Sequence, residues 1–262
     1  MKYATKKLAK NLIQASILVP SLIITLMSSV SANAELTILT VGDSITSGLK
    51  LNGSRTSFFC PADGVLTSSF YVCNGDAVLN QGGFQPDIVS LFAQKDISAS
   101  TYNWGFAGEE SWQIINRVTQ AMDSRPADTV FFMAGVNDLN DNLSDEATAF
   151  NVIAMMDLVI DRGLTPIVGT ITPHLGDSSY NPKIVRINEL IRTAANEREI
   201  VVAEHYQTLI SNWGVLNSGD GLHVADSGDA IIATNWVEAY ELSLTLNQKI
   251  TLAPIIQLLL SD

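Results

Sequence analysis

The segment Leu36-Thr37-Ile38-Leu39-Thr40-Val41-Gly42-Asp43-Ser44-Ile45-Thr46 decides the reading of this chain. Its first six residues are apolar or β-branched and read as a strand. The run stops at Gly42-Asp43-Ser44, so the strand delivers a serine to the edge of a sheet. A serine hydroxyl is a weak nucleophile until a base takes its proton and fixed donors hold the charge of the attacked carbonyl. On these residues alone, Ser44 is equally well a turn or helix-capping serine. No Gly-x-Ser-x-Gly elbow surrounds it, which argues against an α/β-hydrolase.

Working outward, short β-type runs alternate with helical stretches. Strands are expected at 36–41, 99–103, 129–134, 165–171 and 199–204. Helices are expected at 86–94, 109–122, 145–162, 182–198 and 226–244. Ser144 or Asp145 caps the third helix, Gly163 stops it, and Pro182 suits the first turn of the fourth. Such alternation predicts an α/β fold: a three-layer α/β/α sandwich on a parallel five-stranded, flavodoxin-like sheet of order 2-1-3-4-5. Residues 50–83 are rich in glycine and serine and read as one long loop. In open parallel sheets ligands bind beyond the carboxyl ends of the strands. Ser44, Gly108 and Asn137 each follow a predicted strand, so the topology brings them to one rim.

Residues 1–34 read as a signal peptide and 35–262 as one domain. Lys2, Lys6, Lys7 and Lys10 form a basic start, Ile17 to Met27 an apolar core, and Ala32-Asn33-Ala34 a small-x-small cleavage site. The apolar core is short for a membrane span, which needs about 20 residues. The expected address is secreted or periplasmic, with no stable membrane insertion of the mature chain. Removing the four lysines leaves 11 Lys+Arg against 27 Asp+Glu, so the net charge falls from -12 to -16. Nucleic acid and anionic membranes both call for clustered Lys and Arg, so neither is an expected partner. Cys60 and Cys73 are the only cysteines. In an exported chain they are expected to form a disulfide, worth about 3 kcal/mol in the chain-entropy model. With no third and fourth ligand nearby, a metal site there is not expected.

Further blocks supply what Ser44 lacks. Asn103 leads to Gly108-Glu109, Gly135-Val136-Asn137-Asp138 follows a strand, and Asp220-Gly221-Leu222-His223 lies near the end. Of the three histidines, only His223 has an aspartate three residues before it, within reach of its ring. His174 and His205 also follow predicted strands; a core role suits His205 and a pocket wall suits His174. Ser, Gly, Asn and His in this order resemble the SGNH (GDSL) hydrolase family, from about Leu36 to about Tyr240. The resemblance implies Ser44 as nucleophile, His223 as base and Asp220 as its orienting carboxylate. It implies the backbone N–H groups of Ser44 and Gly108 and the side-chain amide of Asn137 as the anion hole. Gly105 rivals Gly108 by position; the family's Asn-x-x-x-x-Gly-acid block favours Gly108. Asp43 and Asp138 are read as supporting or capping groups. The family often carries Pro after its His, where this chain has Val224.

The implied activity is hydrolysis of acyl esters through an acyl-enzyme, without metal or organic cofactor, on a small-molecule or polysaccharide ester. The alternatives are a carbohydrate acetylesterase, a lysophospholipase or thioesterase, or a non-catalytic binding domain of the same fold. The Asp- and Asn-rich stretch from Asp138 to Glu146 lacks the glycine of an EF-hand loop and reads as a solvated helix start. Among the tryptophans, Trp112 and Trp236 fall in predicted helices and are expected to pack, whereas Trp104 and Trp213 are the better pocket candidates. The apolar tail Ile250 to Leu260 either docks as a last helix or forms an interaction surface.

Overall fold

The computed structural model describes residues 35–50, 65–67, 70–72, 78–79, 82–141, 143–177 and 179–259. The proposed signal peptide, Cys60 and Cys73 lie outside the described residues. In chain order the elements are β1 Leu36–Gly42, α1 Ser44–Ser47, β2 Val65–Thr67, β3 Phe70–Val72, β4 Val78–Leu79 and α2 Gln85–Ala93. Then come β5 Ala99–Gly105, α3 Ser111–Ser124, β6 Thr129–Met133, α4 Asp145–Asp161, β7 Thr165–Gly169 and α5 Tyr180–Glu197. The last are β8 Val201–Ala203, α6 His205–Leu209, α7 Trp213–Leu216 and α8 Asp226–Leu259.

The main sheet runs β4-β5-β1-β6-β7-β8. Its strands β5, β1, β6, β7 and β8 pair in parallel, in the expected 2-1-3-4-5 order. The loop expected over 50–83 adds two features. Val78 and Leu79 pair antiparallel to Tyr102 and Asn103 as a sixth, edge strand, and β2 pairs with β3 as a separate hairpin. Helices α3, α4 and α5 pack side by side on one face of the sheet, and α2 with α8 on the other. The central strands are covered on both faces, so β6 is buried at every position and carries an unbroken apolar run, Val130-Phe131-Phe132-Met133. On the α8 side, Trp236 stacks on Phe131 with ring centroids 5.0 Å apart.

Helix faces follow from spacing. In α3, Ser111, Ile114, Val118 and Ala121 fall on one stripe and are buried. Ser144 caps α4 by accepting from Ala147 N at 3.1 Å, and Gly163 ends that segment at φ +70°. Strand β7 stops before the expected 171 because the Ile171 backbone pairs with a side chain instead. The buried amide of Asn188 accepts from Ile171 N at 2.8 Å and donates to its carbonyl at 3.1 Å. Strand β8 starts at Val201, not 199, because residues 199 and 200 belong to the end of α5. Glu199 takes φ +56°, and Ile200 N bonds back to the Ala195 carbonyl at 2.9 Å. Helix α8 runs past the expected 244 to Leu259, through Pro254. Among the described residues, no helix is long and apolar enough to cross a membrane.

His205 is a core residue, the role expected for it, although it follows a strand like the rim residues. It is fully buried, its ring meets Trp236 edge-on at 4.6 Å, and Asn235 Nδ2 lies 3.3 Å from its Nδ1. Burial pushes its pKa down from 6.5 to about 3. A folded-state value below the unfolded one gives stability that is full above pH 6.5 and is lost as pH falls towards 3. Urea midpoints of the wild type and His205→Leu should therefore diverge with pH: relative to the variant, the wild type loses stability as pH drops from 7 to 4. A gap that stays constant over that range would remove His205 as a source of acid sensitivity.

Candidate active site

Three strand ends lie level. Gly42 is in register with Gly105 on one side and Met133 on the other. Beyond Gly42 the chain turns into α1, a four-residue helix buried at every position. The Asp43 carboxylate caps it, accepting from Ile45 N at 2.9 Å. Space for this turn comes from missing side chains. A Cβ on Gly42 would lie 2.3 Å from Thr46 Oγ1, and one on Gly105 would lie 2.2 Å from the Ser47 nitrogen. Gly105 is therefore a packing glycine. Behind the turn, buried Gln85 donates from Nε2 to Thr46 O at 2.9 Å and to Thr40 Oγ1 at 3.0 Å.

The loop after β5 is tied to this turn by Phe106 N, which donates to Gly42 O at 2.8 Å. Gly108 follows at φ +82°, a conformation glycine adopts without strain. The loop after β6 is tied to it in turn. Asn137 Nδ2 donates to the Glu109 carbonyl at 2.8 Å, fixing the amide beside Gly108 and leaving its second N–H available. Asp138 accepts from Ser111 N at 2.9 Å and Thr148 Oγ1 at 3.2 Å, anchoring the start of α3 to the Asn137 turn. Asp138 and Glu109 lie close enough to Asp43 to act on its carboxyl. Burial drives the Asp43 carboxyl up to about 7; the Ile45 N–H opposes this, and Asp138 and Glu109 add to it. Burial also raises Glu109, against the pull of Arg117.

His223 arrives from the opposite end of the chain. The side-chain oxygen of Asn217 accepts from Gly219 N at 2.8 Å and Gly221 N at 3.1 Å, and Ser218 N donates to His223 O at 2.7 Å. These bonds close the segment into a tight turn, and Trp213 Nε1 holds the Gly221 carbonyl at 3.1 Å. Within it, Asp220 Oδ1 accepts from the backbone N–H of Leu222 at 2.9 Å and of His223 at 2.8 Å. Its Oδ2 lies 2.6 Å from His223 Nδ1, and His223 Nε2 lies 3.0 Å from Ser44 Oγ. Burial raises the Asp220 pKa, but bonds from the His223 ring and the two backbone N–H groups outweigh it and hold the carboxyl below its usual range. An ionised Asp220 keeps a proton on Nδ1 and leaves the Nε2 lone pair facing the serine.

His174 stands beside this pair. Its Nδ1 accepts from Gly176 N at 2.7 Å, and its ring meets Tyr180 edge-on at 4.9 Å. Burial lowers its pKa, with Asp220 opposing and His223 reinforcing the shift. Trp236 packs as expected, whereas the other three tryptophans depart from expectation. Trp104 and Trp213 are buried, at 5% and 1% exposure, as is Trp236 at 1%, whereas Trp112 is 53% exposed. Trp112 lies at the second position of α3, on its solvent side, four residues after Gly108, and its indole N–H donates to Glu110 at 3.2 Å. Two supports of the site, Gln85 and the ion pair Lys50–Asp229, had no signal in the sequence. Among the described residues, no group of three or more His, Cys, Asp or Glu side chains is placed to hold a metal ion.

The model of the GDSL-like Lipase/Acylhydrolase family matches residues 40–231. This chain belongs to that family. As a GDSL-family protein it is a carboxylic ester hydrolase, and the resemblance read from its four blocks is borne out. A search of curated proteins found no significant match. Solved structures share the fold. Axe2, an acetylxylan esterase from Geobacillus stearothermophilus, aligns with TM-score 0.60 at 14% identity over 79% of this chain and 95% of its own. A lipase/acylhydrolase from Enterococcus faecalis gives 0.58 at 18% identity over 79% and 95%. A member of the lipolytic G-D-S-L family from Veillonella parvula gives 0.56 at 19% identity over 78% and 97%.

Removing the Asn137 amide takes away a donor while the turn stays anchored through Asp138. Asn137→Ala should lower kcat by about 10²–10³ with little change in KM. Steady-state kinetics on an activated ester read this directly, and an unchanged kcat would remove Asn137 from the expected anion hole.

Proposed function

We propose that this GDSL-family chain is an exported serine esterase that works through an acyl-enzyme on Ser44. The observation that carries the reading is the unbroken path of hydrogen bonds from Asp220 through His223 to Ser44 Oγ. In this reading His223 Nε2 takes the hydroxyl proton as Oγ attacks the ester carbonyl. The resulting oxyanion is held by the backbone N–H of Ser44 and of Gly108 and by the free N–H of Asn137 Nδ2. Collapse expels the alcohol, to which His223 returns the proton. Water, activated by the same imidazole, then frees the acid. The reading asks for no metal ion and no organic cofactor. Export is supported by the basic, apolar and small-x-small order of residues 1–34. The acidity of the remainder speaks against nucleic acid as a partner.

A second, narrower reading is a carbohydrate acetylesterase. Trp112 favours it: an indole fixed by Glu110 and open to solvent near Gly108 offers an apolar face for a sugar ring. The shared fold with an acetylxylan esterase agrees with this reading.

The nucleophile is tested with a fluorophosphonate probe, which should modify Ser44 and no other serine. Ser44→Ala should keep the wild-type melting temperature and lose ester hydrolysis by several orders of magnitude. Peptide mapping that places the label elsewhere would overturn the assignment. For the narrower reading, Trp112→Ala should raise KM for acetylated xylan about tenfold and leave p-nitrophenyl acetate turnover nearly unchanged. Equal effects on both substrates would set the sugar-stacking role aside.

A further inference from the structure

Lys50 lies six residues after Ser44, is 9% exposed, and carries a buried ammonium in a strongly acidic chain. Its Nζ donates to the Val224 carbonyl at 3.0 Å, lies 3.1 Å from Asp226 Oδ1, and pairs closely with Asp229 Oδ2. Two of the three N–H donors of this ammonium are thus taken by hydrogen bonds to Val224 and Asp229, and Asp226 adds an ion pair at the exposed side. The acceptors belong to one region: Val224 is the residue after His223, and Asp226 and Asp229 occupy the first turn of α8.

The lysine is coupled just as tightly to the serine. Leu49 N donates to the carbonyl of Ser44 itself at 3.0 Å, and Gly48 N bonds to the Ile45 carbonyl at 3.1 Å. Gly48, at φ +80°, presses on Gly83, where an added Cβ would lie 2.2 Å from the Gly83 nitrogen. Gly83 in turn packs against the Asp229 carboxylate, 2.9 Å from where its own Cβ would stand. Lys50 thus sits one residue beyond a turn locked to Ser44, and its ammonium grips the residue next to His223.

Resting on the reading of Ser44 and His223 as nucleophile and base, we propose that Lys50 is the positioning residue that sets their separation. The serine opens α1 directly behind β1, whereas the histidine sits on a turn between α7 and α8, 179 residues further along. That turn is tied to the loop after β7, where Leu175 N donates to Gly221 O at 2.8 Å, and not to the serine's own segment. Lys50 supplies a tie from one side of the reacting pair to the other, through the Val224 carbonyl. Burial of an ion pair is a poor way to gain stability alone, since apolar residues of similar volume serve as well or better. What apolar residues do not supply is a directional bond to the Val224 carbonyl.

The test compares Lys50→Met, Lys50→Met/Asp229→Asn and Lys50→Arg with the wild type. The double variant leaves no uncompensated buried charge at Asp229, so it folds where the single one falters. Each is assayed well below its melting temperature, for kcat, for KM and for the rate of fluorophosphonate labelling. Losing the tie should lower kcat and the labelling rate together by about 10- to 100-fold, with KM within about threefold. Lys50→Arg, which can still donate to the carbonyl, should recover part of both. The decisive outcome is a double variant with restored melting temperature and persistently low kcat. If kcat returns with the melting temperature, Lys50 is merely structural and the proposal falls. If the wild type itself is not labelled at Ser44, the esterase reading falls, and the positioning role goes with it.

Discussion

At the rim of this sheet the controlling constraint is steric. The four residues of α1 lie against the ends of β1, β5 and β6 more closely than any side chain at Gly42 or Gly105 permits. That closeness fixes the direction in which Ser44 leaves the sheet. It also sets the depth of everything stacked upon it: Gln85 beneath the Thr46 carbonyl, and Phe106 bonded back to Gly42. The loops bearing Gly108 and Asn137 inherit their positions from this contact, because Asn137 is bonded to Glu109 and Asp138 to Ser111. The residues proposed for the anion hole are thus positioned by backbone proximity, with side chains serving as struts.

Much of this was legible in the sequence, for identifiable reasons. Strands such as Val130-Phe131-Phe132 announce themselves because a strand covered on both faces is apolar at successive positions. Ser144 and Gly163 mark the ends of α4 because capping is local chemistry. Failures arose where a distant partner decides the backbone. Ile171 reads as strand, but its N–H and C=O are taken by Asn188 from α5. Residues 199 and 200 read as strand, but they bond back to the preceding helix. The two-residue β4 is too short to leave a pattern of its own.

The site divides along the same line. The Asp220–His223 contact is three residues long and could be inferred from spacing, and the four blocks gave the rest by resemblance. The tryptophans show what position alone fails to give. Trp104 follows a block and Trp213 precedes one, yet both are buried, whereas Trp112 in its helix faces solvent near Gly108. Which side of a helix meets the sheet depends on where the helix is anchored. The anchor of α3 is Asp138, which lies 27 residues from Ser111. Lys50 is the extreme case, since its acceptors lie more than 170 residues away.

The short antiparallel β4 has a bearing on colloidal behaviour. A parallel sheet ends in strands whose outer N–H and C=O groups are free to recruit another chain, and long flat edges are where aggregation begins. Strand β5 would present a seven-residue edge of this kind. By laying Val78 and Leu79 against Tyr102 and Asn103, the chain interrupts that edge at its middle. At the other margin, β8 is only three residues long. Among the described residues neither border offers a continuous ladder for a second molecule to extend, so the geometry there works against edge-to-edge association, as the negative charge does.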